Sequence, residues 1–315
     1  MSDAALVQAL AGKSIAVYGG TGLIGGALVA RLAALGCPGP IYVVARRAPA
    51  REVAGVTYVR ASVLDEAEMA SVPRADLAVF VVGATSDYLA DPLGTVGVAT
   101  AGFERFLRHT AGAARRLLVG SARIYGPRAD PAPLREEDEC RLRSPDPRNV
   151  YDGAKLIAEA LAQLASTRDR PVVLARLGNV YGPSSERAPA TVFTAFVAAA
   201  RGARRIVVSG APGSLRNHVH ARDAADGLVR ALFFGRAGEA YNLGSRDHLT
   251  NEAFARRIAG AAPYPVEVEI ARPDAPADHM VISIDKAERE VGFAPTSTID
   301  EHLPLAVRWE LEHRP

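Results

Sequence analysis

Ile15-Ala16-Val17-Tyr18-Gly19-Gly20-Thr21-Gly22-Leu23-Ile24-Gly25 sets four apolar residues against a loop with glycines at three-residue spacing. The apolar run reads as a short strand, and residues 27–35 beyond the loop read as a helix. Glycines at 19, 22 and 25 permit a tight turn and let a phosphate approach the backbone amides at a helix N-terminus. Placed between first strand and first helix, this spacing indicates a dinucleotide site, with Leu23 and Ile24 joining Gly19, Gly22 and Gly25 as expected cofactor contacts.

Working outward, apolar strands recur at 41–44, 56–59, 77–82, 116–119 and 172–174, with helical stretches between most of them. Alternating strands and helices imply an α/β fold with a doubly wound parallel Rossmann sheet. Beyond Gly178 the pattern turns irregular, with a helix at 192–201, a strand at 205–209 and then Pro and Gly punctuation. The expected division is a cofactor-binding domain over 12–178 plus roughly 214–245, and a smaller C-terminal substrate-binding lobe over 179–213 and 246–315. That lobe would sit over the carboxyl ends of the strands, where open α/β sheets bind ligands. The proline-rich, charged run 127–147 reads as a solvated loop.

After the second strand, where an acidic residue would hold the adenosine ribose of NAD, the sequence reads Ala45-Arg46-Arg47. Arginines there suit a 2′-phosphate, so NADP(H) is favoured with NAD(H) possible; the alternative is that both side chains simply point into solvent. Ser62 or Val63, after the third strand, would lie near the adenine.

Tyr151-Asp152-Gly153-Ala154-Lys155 places a phenol and an ammonium one helical turn apart. Residues four apart share a helix face, so the lysine can stabilise the tyrosine anion. A free tyrosine titrates near ~10, too high for proton exchange at neutral pH without a neighbouring cation. The chain has 37 Lys plus Arg, yet lysine occurs only at 13, 155 and 286. Tyr-x-x-x-Lys alone more often marks an ordinary helix surface, so its context has to decide.

Composition narrows the classes. A net charge of +2 with interspersed signs offers no basic face for nucleic acid or anionic membrane. Cys37 and Cys140, far apart, fit a reducing cytoplasm and argue against a disulfide framework or cysteine metal site. His218 and His220 are spaced like ligands on a strand, but no carboxylate or cysteine cluster supports a metal. Residues 1–14 lack a leader pattern and no apolar run reaches a membrane span, so a cytoplasmic protein is expected. The helix at 151–165 is apolar around much of its circumference, which predicts burial on two sides and a homodimer.

The glycine loop, Ser121-Ala122-Arg123-Ile124-Tyr125-Gly126, and Tyr151 with Lys155 together resemble the extended short-chain dehydrogenase/reductase family, of the NAD-dependent epimerase/dehydratase type. Arg176-Leu177-Gly178-Asn179-Val180-Tyr181-Gly182-Pro183, Arg216-Asn217-His218-Val219-His220, Tyr241-Asn242-Leu243-Gly244, and Asp285-Lys286-Ala287 through Gly292-Phe293-Ala294-Pro295 agree, so the likeness covers nearly the whole chain. The resemblance implies that Ser121 hydrogen-bonds the reacting carbonyl or hydroxyl and that Tyr151 exchanges its proton. It further implies that Lys155 binds the nicotinamide ribose and lowers the tyrosine pKa. Asn179, Arg216 and Arg272 match positions that hold a nucleotide diphosphate; with Ser121 and Arg123 they make up the expected substrate contacts. It also makes His220 structural.

Departures narrow the expected reaction. Sugar 4,6-dehydratases of the family usually carry Asp-Glu directly after the residue matching Ser121, and decarboxylases tend to place a glutamate there; here stand Ala122 and Arg123. The asparagine common after the fourth strand is replaced by Ala99 or Thr100. What remains is ketone reduction or epimerisation through a transient ketone. Arg46 and Arg47, and a Val150-Tyr151-Asp152 form of the motif that resembles nucleotide-sugar 4-ketoreductases, lean toward NADPH-dependent reduction of a keto group, at C4 of a nucleotide-bound 4-keto-6-deoxyhexose. The alternatives are an NAD-dependent nucleotide-sugar 4-epimerase and a non-catalytic NAD(P)-sensing protein on the same fold.

Overall fold

The computed structural model describes residues 3–37, 39–49, 51–83, 88–142, 146–183 and 191–313. Part of the loop expected over 127–147, residues 143–145, lies outside them. The first half of the chain runs α1 (Asp3–Leu10), β1 (Ile15–Tyr18), α2 (Leu23–Ala34), β2 (Ile41–Ala45), β3 (Val56–Arg60), α3 (Glu66–Ala70), β4 (Leu77–Phe80), α4 (Pro92–Gly97), α5 (Phe103–His109), β5 (Arg115–Ser121) and α6 (Asn149–Ala165). A π-turn, Val98–Gly102, joins α4 to α5, and a 3-10 turn, Ala122–Tyr125, follows β5. The second half contains β6 (Val172–Leu177), β7 (Asn179–Tyr181), α7 (Val192–Gly202), β8 (Arg205–Val208), β9 (Leu215–His220), α8 (Ala221–Phe234), β10 (Ala240–Leu243), β11 (His248–Thr250), α9 (Asn251–Ala261), β12 (Glu267–Ile270), α10 (Asp285–Val291) and α11 (Ile299–His313).

Seven parallel strands form the main sheet in the order β10-β6-β5-β4-β1-β2-β3, a doubly wound Rossmann arrangement. Ile15 pairs with Ile41 on one side and Leu77 on the other, so β1 is central. All four of its residues are buried, because helices cover both faces of the sheet. Val17, Leu28, Leu117 and Leu228 pack on the face covered by α2 and α8, while Tyr18, Phe80, Phe106 and Ala158 pack on the face covered by α5 and α6. Strand order reverses between β1 and β4, which opens a crevice at their carboxyl ends. Arg115 reinforces the assembly: its guanidinium donates to the Leu232 and Gly235 carbonyls at the end of α8, where a cation complements the helix dipole.

The second lobe has its own core, built from Phe193, Val197, Ile206, Phe254 and Leu303 on α7, β8, α9 and α11. A three-stranded sheet, β11-β9-β7, links it to the main body, and β8 pairs in parallel with β12. Residues 285–293, placed by sequence in this lobe, send Ala287, Val291 and Phe293 into the core beneath α8 instead. The reason is local: a seven-residue apolar-faced helix closed by left-handed Gly292, φ +68°, finds its partner in α8. Among the described residues no helix is long and apolar enough to cross a membrane.

Candidate active site

The glycine turn is tighter than its spacing alone conveys. Gly19 has φ +89°, and a Cβ there would sit 2.9 Å from the Val82 nitrogen. A Cβ at Gly25 would come within 2.2 Å of the Gly19 carbonyl oxygen, so no larger residue fits either position. The helix expected from residue 27 therefore starts at Leu23, with Gly25 already in its first turn. Gly22 precedes it in extended conformation and no side chain caps the helix, leaving first-turn amides for an anion. Around Gly22 itself the nearest atom to an added Cβ is 3.7 Å away, so the approach is open and the cradle fits a dinucleotide phosphate.

Arg46 and Arg47 are exposed just past β2, and neither is ion-paired among the described residues. Ser62 is engaged in its own turn: its amide donates to Glu68 Oε2 at 2.7 Å and its Oγ accepts from the Leu64 amide at 3.2 Å. Val63 is 6% exposed and its side chain faces Gly102, leaving only its backbone for a ligand.

Ser121, the last residue of β5, caps the 3-10 turn. Its Oγ accepts from the Arg123 amide at 3.3 Å, which leaves its own hydrogen to be donated. On α6, Tyr151 and Lys155 share a face as expected, the ammonium 5.9 Å from the phenol ring centroid. Lys155 Nζ donates to the Val119 carbonyl at 3.0 Å. Tyr151, Lys155, Val82 and Ala99 line one cavity together with Phe80 and Leu118. Val82, which lines it, also lies against Gly19 of the glycine turn. Ala99 gives the cavity an apolar wall, and Thr100 turns its hydroxyl back onto the Val96 carbonyl at 2.8 Å.

Sequence reasoning missed what surrounds this pair. Arg123 forms a two-point ion pair with Asp152, and the Tyr88 ring, tilted by 44°, has its centroid 5.5 Å from that of Tyr151. Beneath lies a buried network in which Glu159, two turns after Tyr151, pairs with Arg176 at 2.9 Å. Arg176 donates to the Tyr125 hydroxyl at 2.8 Å, which donates to Asn242 Oδ1 at 2.8 Å. The Asn242 amide closes the chain on Glu136 at 2.7 Å. Burial pushes the Glu159 carboxyl above its ordinary range, opposed by the Arg176 charge. The i, i+4, i+8 spacing of Tyr151, Lys155 and Glu159 is a sequence signal for the shared helix face, though not for Arg176 as the partner.

Of the residues expected to hold a diphosphate, Asn179 opens β7 beside His218, and Arg216 lies on β9 with its guanidinium closed on Asp278 Oδ1 at 2.7 Å. Arg272 is exposed after β12. His218 is packed in the lobe core, 3.9 Å from the Phe254 ring, and burial drives its pKa down to about 3. His220 caps α8, its Nδ1 accepting from the Arg222 amide at 3.3 Å, and burial brings its pKa to about 4. Both are committed to packing and capping.

Comparison with known proteins follows the same lines. Epimerase Mth375 from Methanothermobacter thermautotrophicus superimposes with a TM-score of 0.85 at 24% identity, covering 98% of this chain and 95% of that one. DesIV, a dTDP-glucose 4,6-dehydratase from Streptomyces venezuelae solved with NAD bound, gives 0.83 at 23% identity, covering 95% and 97%. The dTDP-D-glucose 4,6-dehydratase of Homo sapiens is 28% identical over 151 residues, 48% of this chain and 41% of that protein. The matching segment spans half or less of the length of such curated relatives. A profile of one family matches residues 15–244, and the chain belongs to it: the NAD dependent epimerase/dehydratase family.

Proposed function

We propose that the chain reduces the C4 keto group of a nucleotide-bound 4-keto-6-deoxyhexose with NADPH. The observation that carries this reading is the composition of the site. A phenol and an ammonium share one face of α6 at Tyr151 and Lys155, and the Ser121 hydroxyl ends β5 two residues past the carbonyl that Lys155 holds. Ala122 and the ion-paired Arg123 leave no acid beside the serine for eliminating water. Bound in the glycine cradle, the dinucleotide supplies the hydride. As the carbonyl carbon accepts it, charge grows on the oxygen, which receives the phenolic proton of Tyr151 and a hydrogen bond from Ser121. Lys155 keeps a positive charge beside the ring that has lost its proton.

Exposed Arg46 and Arg47 favour the 2′-phosphate of NADPH, and the NAD seen in DesIV supports a nicotinamide dinucleotide in general. Asn179, Arg216 and Arg272 are our candidates for the sugar's diphosphate. A homodimer packed through α6 is part of this reading, and that helix exposes Ile157 at 45% and Leu164 at 83%.

Mixing the protein with NADPH and dTDP-4-keto-6-deoxyglucose tests the reading: nicotinamide absorbance should fall in proportion to substrate. A 4-epimerase, the rival favoured by the likeness to an epimerase fold, would copurify with cofactor and consume none.

A further inference from the structure

Arg123 touches both sides of the site. Its backbone amide donates to Ser121 Oγ at 3.3 Å, while its Nε and Nη2 reach Asp152 Oδ1 and Oδ2 at 2.9 and 3.3 Å. Asp152 directly follows Tyr151 on α6. The guanidinium carbon lies 5.0 Å from the Tyr151 ring centroid and 5.6 Å from that of Tyr88, within cation–π range of both. One residue thus spans from the hydroxyl on β5 to the phenol on α6.

The Tyr151 ring needs such a hold. It stands in the first turn of a helix that no side chain caps, and Lys155 approaches it at 5.9 Å while bound to a carbonyl of β5. Arg123 meets the ring with a flat guanidinium whose fork is fixed by Asp152. With side chains 34% and 16% exposed, the pair is partly buried and less screened than a surface pair.

We infer that Arg123, fixed by Asp152, is a positioning residue that sets the orientation of the Tyr151 ring and its distance from Ser121. This rests on reading Tyr151 as the proton donor. The pair occupies the position next to Ser121 without supplying an acid, and it holds the phenol where a carbonyl oxygen can meet both hydroxyls.

The test compares Arg123→Met, Arg123→Lys and Asp152→Asn. Arg123→Met, which keeps length but loses charge and fork, should lower kcat about 100-fold with KM within about threefold, the signature of misplacement. Its primary deuterium isotope effect with 4-deuterated NADPH should rise. Asp152→Asn should lose less, and the double variant should be no worse than Arg123→Met, since both act through one contact. Independently of turnover, 3-fluorotyrosine labelling should give one sharp fluorine resonance for Tyr151, assigned with Tyr151→Phe. Arg123→Met should shift or split it and Arg123→Lys restore it in part. A higher KM with unchanged kcat makes Arg123 a substrate contact and overturns the inference, as does an unmoved resonance with kcat within twofold. Where wild-type protein turns over no sugar, the proposed reaction fails and the fluorine signal still decides the positioning. If Arg123→Met does not fold, Asp152→Asn carries the same two readouts.

Discussion

Lys155 Nζ donates to the carbonyl oxygen of Val119 at 3.0 Å, fastening α6 to β5 two residues before Ser121. Lys155 therefore has a structural duty beside the chemical one we propose for it, and the two separate experimentally. Lys155→Met should lose activity and about 1–3 kcal/mol of stability, because a carbonyl is left unpaired. Tyr151→Phe should lose about 100-fold to 10,000-fold in kcat with an unchanged unfolding midpoint. Paired turnover and urea-unfolding measurements on the two variants check this; equal stability in both removes the fastening role.

Gly120 is held to glycine by its neighbours. A Cβ there would lie 2.7 Å from Glu159 Oε1 and 3.2 Å from the Ala175 carbonyl oxygen. Gly120→Ala should cost about 1–3 kcal/mol by overpacking, read from the urea midpoint. Glu159→Gln attacks the same contact from the other side. It leaves the Arg176 guanidinium buried opposite a neutral amide and should cost on the order of 3–5 kcal/mol.

Acid should unfold the protein partly through its histidines. The ordinary histidine value is 6.5, and burial lowers His220 to about 4 and His218 to about 3. Below 6.5 the unfolded chain takes up protons that the folded chain refuses. The stability these groups contribute is whole above pH 6.5 and falls as pH drops toward 4 and then 3. Each adds a slope of up to about 1.4 kcal/mol per pH unit. His218→Phe, replacing a ring whose two nitrogens have no partner among the described residues, should flatten the slope in denaturation curves between pH 7 and pH 4.

Cofactor choice is testable at the end of β2. Arg46→Ala combined with Arg47→Ala should lower kcat/KM for NADPH about tenfold or more and leave NADH within about twofold, as expected for loss of phosphate pairing. An equal loss with both cofactors would mean that the arginines do not read the 2′-phosphate.

The sheet was legible because its strands are apolar on both faces and its glycines punctuate them, so local pattern and global topology agree. The lysine–tyrosine pair was legible for a similar reason, since helical spacing puts the two on one face. Arg123 with Asp152 and Glu159 with Arg176 were not, because each joins residues from different elements and nothing in local periodicity marks the partner. Residues 285–293 misled in another way. Their pattern shows a short helix, but which core it covers depends on α8, and its only sequence signal is an apolar face with no stated partner.

The return of α10 to the first core makes the two bodies inseparable as fragments. The polypeptide enters the second lobe after β6, comes back through α8 and β10, leaves again for α9, returns at α10 and ends in the lobe with α11. Neither body can be cut out by a single truncation, and any opening of the cleft bends several strands of chain at once. The two bodies are therefore coupled through several chain crossings rather than one hinge.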